Sequence, residues 1–383
     1  MKPLIVFTAL LTAAVLFLDL TVSAEEDISA QLEAMPAGAI CVYECNSGTV
    51  LFEKNSAQAL PISHLAKLMT LLIAAEELDK GSISLADTVT VSPTANAMQG
   101  AQIWLDVNEK ITLEELVTAI TVGNANDACV ALAEHICGSE ERFTALMNKK
   151  AAALGMTGTH FADSTGLSDS TVSTAADLAL LAGELSKHEA LTPYLTTWLR
   201  EVRSGKAQLV SQNRLLRTYK GITGMKACAS QRSGECSVVT AQRRDMTVAV
   251  VVLGCDTDSN REDIAKKLLD LSFDSFSLFS PEITKKMTSP VPVKGGEKKK
   301  VRVSFGDLPP VIIKKGSSYS FDIKFTKKQG VKAPVHKGDT LGTLECRLGE
   351  KLVYKAELKA NEEVLKRGFK FAFKELVCKL LEF

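Results

Sequence analysis

Residues 38–53, GAICVYECNSGTVLFE, place two apolar-rich runs on either side of Asn46-Ser47-Gly48. That pattern predicts two short strands around a turn. From His64 to Leu78 apolar residues recur at helical spacing instead. Residues 112–137 are helical again: Thr112 with Glu115 suits a capping box, and a second helix begins near Asn126. Arg142–Leu154 predicts an amphipathic helix ending before Gly155, and Ser173-Thr174 opens another that runs to Leu185. Met246–Gly254, MTVAVVVLG, is a continuous apolar run, which suits a buried central strand. Arg261–Leu271 returns to helical spacing. Helices mixed with strands distant in sequence predict an α+β domain over residues 25–280.

Beyond Pro281 the pattern shortens. Residues 291–356 carry short β-like runs broken at Gly295-Gly296, Pro309-Pro310, Gly316-Ser317 and Gly338-Asp339, so residues 281–358 are expected to form a small β domain. In the tail, 359–383, Leu365, Phe369, Phe373, Leu376 and Leu380 share one helical face, with Lys366, Lys370, Lys374 and Lys379 among the rest. A basic amphipathic helix of this kind lies on a membrane surface, or packs on its own domain or a partner.

Lys2, the apolar run Leu4–Leu18 and Val22-Ser23-Ala24 read as a secretory signal peptide over residues 1–24. The alternative is an uncleaved membrane anchor. Either way the rest of the chain is exported.

With 383 residues there is room for two domains, and 45 basic against 45 acidic side chains favour no nucleic-acid partner. No phosphate-binding G-x-x-x-x-G-K-[ST] or H-E-x-x-H motif occurs, and no two of the five histidines have metal-ligand spacing. The nine cysteines include no C-x-x-C pair, which argues against a cysteine zinc site. Cys41/Cys45 and Cys228/Cys236 could form disulfides; otherwise these are small apolar side chains. No metal or cofactor is expected.

The candidate chemistry sits in PISHLAKLMT, residues 61–70, where Lys67 follows His64 by one helical turn and Ser63 by one residue more. With SGTVLFE (47–53), ITLEELVTAITVGNANDACVALAEHICGS (111–139), ALMNKKAAALGMTGTHFADSTGL (145–167), STAADLALLAGEL (173–185), NRLLRTYKGITGMKA (213–227) and VVVLGCDTDSNREDIAKKLLD (250–270), it resembles the serine D-alanyl-D-alanine carboxypeptidases. These are the low-molecular-weight penicillin-binding proteins, peptidase family S11. The resemblance implies a penicilloyl-serine-transferase or β-lactamase-like α+β fold: an antiparallel sheet flanked by helices, then a small β domain and an amphipathic tail helix. It also implies work on bacterial peptidoglycan at the outer face of the cytoplasmic membrane. The implied ligand is a peptidoglycan stem peptide or a β-lactam-like molecule.

That family's chemistry uses S-x-x-K, S-x-N and K-T-G. A serine hydroxyl needs a nearby base, and a desolvated lysine one turn along can serve. Here the corresponding triplets are His64…Lys67, Asn124-Ala125-Asn126 and Lys226-Ala227-Cys228. Hydroxyls are missing at 64, 124 and 227, while Lys67, Asn126 and Lys226 remain. Asn126, Lys226 and Ala227 fall at the substrate-binding positions. Three readings follow: an impaired member that binds wall peptides or partners, an active serine enzyme using Ser63 with Lys67, and a non-catalytic envelope scaffold. Ser63 and Lys67 are i and i+4 on a helix and share a face, but Ser63 is rotated by about 100° from position 64. A thiolate formed between His64 and Cys228 is a further possibility. An open cleft lined by Lys67, Asn126 and Lys226 would favour binding; one filled by His64, Asn124 and Cys228 would favour the scaffold.

Overall fold

The structure, a computed structural model, describes residues 28–369 apart from 281, 307, 309 and 317–320, together with residues 371, 373 and 377. The predicted leader, residues 1–24, lies outside the described residues, as do Leu376, Leu380, Lys370, Lys374 and Lys379 of the tail. The chain divides after Asp274 into two compact units.

The first unit is built on a five-stranded antiparallel sheet. Its strands are β1 (Ala39–Glu44), β2 (Thr49–Lys54), β3 (Ile222–Ser230), β4 (Gly234–Arg243) and β5 (Met246–Cys255), in the order β2-β1-β5-β4-β3. The MTVAVVVLG run is the central strand, with Val248–Leu253 wholly buried because both faces are covered. Helix α5 (Ala175–Leu185) packs on β1 and β5. Helix α6 (Asp258–Ser275) is tied to β4 by an Arg261–Glu235 ion pair and by Arg243, whose guanidinium lies 4.7 Å from the Phe273 ring centroid. Strand β4 was not expected from the sequence: its buried stretch, Cys236–Ala241, mixes Ser and Thr with valines.

Four more helices build the core beside the sheet: α1 (Lys67–Lys80), α2 (Leu113–Gly123), α3 (Asn126–Cys137) and α4 (Glu140–Ala153). Helix α1 is central, with every residue from Lys67 to Ala75 buried. The Thr112–Glu115 capping box is present at the start of α2. The helix expected from His64 begins instead as a 3-10 turn over Ser63–Ala66, and regular α-helix starts only at Lys67.

In the second unit, Val303–Phe305, Lys351–Ala360, Thr340–Leu348 and Phe321–Lys327 form an antiparallel sheet in that order. Val291, Val301, Val335, Leu358 and Val364 close a small core. Phe276–Phe279 pairs with Val311–Lys314, so β structure of this unit begins ahead of the composition change at Pro281. In the tail, Leu365, Phe369 and Phe373 are exposed, and the Phe369 and Phe373 rings stack at 6.2 Å. Among the described residues no helix is long and apolar enough to cross a membrane.

Candidate active site

Three corners of the first unit bring the sequence-predicted residues together. Lys67 is the first residue of α1. Asn124 ends α2 in the left-handed conformation, φ 56°, which asparagine tolerates better than most side chains. Asn126 opens α3 two residues later, and Lys226 sits on the edge strand β3. The Asn124–Asn126 corner sends one amide to each lysine.

Lys67 is fully buried, and its ammonium donates to Asn126 Oδ1 at 2.6 Å and the Thr165 carbonyl at 2.6 Å, and stands 2.9 Å from His64 Nδ1. Lys226 donates to the Ile120 carbonyl at 2.6 Å, the Thr121 carbonyl at 3.2 Å and Asn124 Oδ1 at 2.6 Å. An ammonium has three donors and no acceptor. Both groups are thus saturated by the protein itself. Asn124 Nδ2 reaches the Ala227 carbonyl at 3.4 Å, and Asn126 Nδ2 donates to the Gln99 carbonyl at 2.6 Å.

Burial governs the protonation states. It pulls Lys67 from the ordinary 10.5 down to about 8, against the opposing pull of Cys129 and Asp163. Burial and repulsion from Lys67 take Lys226 down to about 7. Burial, with the Lys67 and Lys226 cations, takes His64 down to about 3. His64 is therefore neutral at physiological pH and accepts a hydrogen bond from the Lys67 ammonium at Nδ1. A base that weak takes no proton from a substrate near neutrality.

Ser63 does not share a helical face with Lys67. It lies at the head of the 3-10 turn with φ 46°, and no hydrogen bond joins its hydroxyl to Lys67 among the described residues. Its carbonyl presses on Gly166: a Cβ built there would stand 1.9 Å from Ser63 O. Cys228 is no partner for His64 either. Its Sγ lies 3.8 Å from the Ile62 carbonyl, and burial pushes its thiol up to about 12, so it stays protonated. Cys228 and Cys236 are Cα partners across β3 and β4, yet both are free thiols, as are Cys41 and Cys45.

Sequence reading missed the loop that frames the site. Asp163 accepts from the backbone N–H of Thr165, Gly166 and Ser168 and from the Thr165 hydroxyl, which aims the Thr165 carbonyl at Lys67. Burial works against the Asp163 carboxylate, but these bonds outweigh it and hold its pKa low. The signal was present in Asp163-Ser-Thr-Gly166, an aspartate followed by a glycine at φ 78°. The backbone acceptors of Lys226 carried no side-chain signal at all.

A helix-flanked antiparallel sheet, a buried lysine opening the central helix and a second lysine on the edge strand define the fold class of the penicillin-binding serine transferases. The comparisons agree. Residues 24–257 match the D-alanyl-D-alanine carboxypeptidase family, peptidase S11, and residues 273–366 match the C-terminal domain of penicillin-binding protein 5. The chain belongs to the D-alanyl-D-alanine carboxypeptidase family. It is 34% identical over 342 residues to the carboxypeptidase DacF of Bacillus subtilis, spanning 88% of each chain. Penicillin-binding protein 5 of Haemophilus influenzae superposes with a TM-score of 0.76 at 27% identity, covering 87% of this chain and 98% of that one. Penicillin-binding protein D2 of Listeria monocytogenes, solved with ampicillin bound, gives a TM-score of 0.57 at 28% identity over 63% of this chain and 98% of that one.

Proposed function

We propose that this chain is an exported cell-wall protein of the carboxypeptidase family that has lost serine acyl transfer and acts by binding wall peptides or envelope partners. One observation carries the reading. The third acceptor of Lys67, in the place where the family's nucleophilic hydroxyl is expected, is the ring of His64. With no hydroxyl in that shell, Lys67 has nothing to activate. The alternative in which Ser63 acts as nucleophile gains no support, because the acceptors of Lys67 are His64, Asn126 and the Thr165 carbonyl and do not include the Ser63 hydroxyl.

A wall peptide or β-lactam-like ligand would have to displace Asn124 Nδ2 from the Ala227 carbonyl on the edge strand β3, whose residues Gly224–Cys228 are buried. The scaffold reading is favoured by a separate fact: Lys226 spends all three donors internally and offers none to a terminal carboxylate. The exposed Leu365, Phe369 and Phe373 support attachment of the tail to the outer face of the cytoplasmic membrane.

The test is covalent labelling of the folded, purified protein with a fluorescent penicillin, read by intact mass beside Ser63→Ala. No adduct is expected on either. An adduct on the native chain that vanishes in Ser63→Ala would establish a displaced nucleophile and a surviving enzyme.

A further inference from the structure

Away from the lysine site, Glu76, Glu184 and His188 converge: one ligand atom from each lies within 4.8 Å of the other two. Glu76 is on the penultimate turn of α1, Glu184 is at the end of α5, and His188 is in the loop that follows. His188 Nδ1 is 2.5 Å from Asp79 Oδ2, while its Nε2 is buried with no hydrogen-bond partner. The Asp79 carboxylate can only accept, so Nδ1 donates to it, and Nε2 is the ring nitrogen left for a ligand bond. A buried ring nitrogen without a partner is unfavourable, and a cation bound at Nε2 would satisfy it. Lys150 and Lys187 pair with Glu76 and Glu184, each through one carboxylate oxygen, so a metal ion would share or displace these ammonium groups.

We propose that Glu76, Glu184 and His188 form a divalent metal site of the zinc class, with Asp79 orienting the imidazole. One imidazole and two carboxylates, completed by water, make a donor set that zinc accepts. Donors about 3.4 Å apart suit a tetrahedral ion with bonds of about 2.1 Å, so the three side chains close inward on binding. The ion would pin α5 and the loop after it to the end of the central helix. Glu184 and His188 are four residues apart, but the third ligand, Glu76, comes from more than a hundred residues earlier, so sequence spacing alone does not announce the site. It is independent of the lysine cluster and of the proposed loss of acyl transfer.

The purified chain is stripped with chelator, re-equilibrated with Zn²⁺, desalted and assayed for retained metal and thermal midpoint; His188→Gln and Glu184→Gln are treated alike. A single retained zinc and a raised midpoint are expected for the native chain, with both effects lost in each variant. If His188→Gln does not fold, the half-buried Glu184 at the helix end decides the question. Two results would overturn the proposal. One is no retained zinc and an unmoved midpoint in the native chain, which would mean water or a proton fills the gap. The other is equal zinc retention by all three proteins, which would place the metal elsewhere, for instance on cysteines.

Discussion

His64 Nδ1 stands 2.9 Å from the ammonium of Lys67, and Asn124 Oδ1 stands 2.6 Å from that of Lys226. Each lysine has an acceptor where a serine hydroxyl is expected from the family pattern. A hydroxyl can accept this bond and also pass a proton on. An imidazole held near pKa 3 and a carboxamide accept it but supply no nucleophilic oxygen, and the first prediction turns on that difference.

His64→Ser restores a hydroxyl one turn before Lys67, but the proton still has no relay at 124. We expect slow penicillin acylation at residue 64 in the single variant. Adding Asn124→Ser, Ala227→Thr and Cys228→Gly should accelerate it by about 10²-fold, in the range that positioned proton transfer contributes. Time-resolved intact mass measures both rates, and equal rates would show that the later positions do not limit the chemistry.

Gly166→Ala forces a Cβ into the Ser63 carbonyl and requires φ 78° of a residue with a side chain. The left-handed conformation and the overlap together should cost about 3 kcal/mol. Gly81→Ala has φ 70° and open space around it, so it should cost only about 1 kcal/mol. The urea midpoints of the two variants test this ranking.

The lysines should titrate early. In an NMR titration of the ¹³Cε resonances, Lys226 should move near pH 7 and Lys67 near pH 8, well before exposed lysines. In the unfolded chain both hold their protons to about 10.5, so the unfolded state binds more protons above pH 7. Their contribution to stability therefore rises with pH from about 7 towards 10.5. Cys228 works in the opposite sense: its folded thiol keeps its proton to about 12 against an ordinary 9, so its contribution is lost as pH rises past 9. A stability maximum on the alkaline side of neutrality is the expected outcome of urea melts across this range.

Cys228 should resist alkylation in the folded protein at pH 8, because it is buried and protonated. The half-buried Cys137 should react ahead of it. Peptide mass spectrometry after iodoacetamide treatment distinguishes the two. Rapid native modification of Cys228 would revive a His64–Cys228 pair.

The sequence by itself determined a good deal. Periodicity marked α2 with its Thr112–Glu115 box, the buried strand β5, and helices α3 to α5, because each pattern is written within one segment. The motif triplets also named Lys67, Asn124, Asn126 and Lys226, which the fold brings into one cluster. Tertiary structure decided the rest. Whether Ser63 could replace the residue at 64 depended on a left-handed turn braced by Gly166, a contact across more than a hundred residues of chain. Whether the lysines faced a ligand or the protein depended on the Thr165, Ile120 and Thr121 carbonyls. Every residue carries such a carbonyl, so no residue type signals which ones will be aimed at a buried charge. Only the packing that removes water from around the two ammonium groups makes that selection.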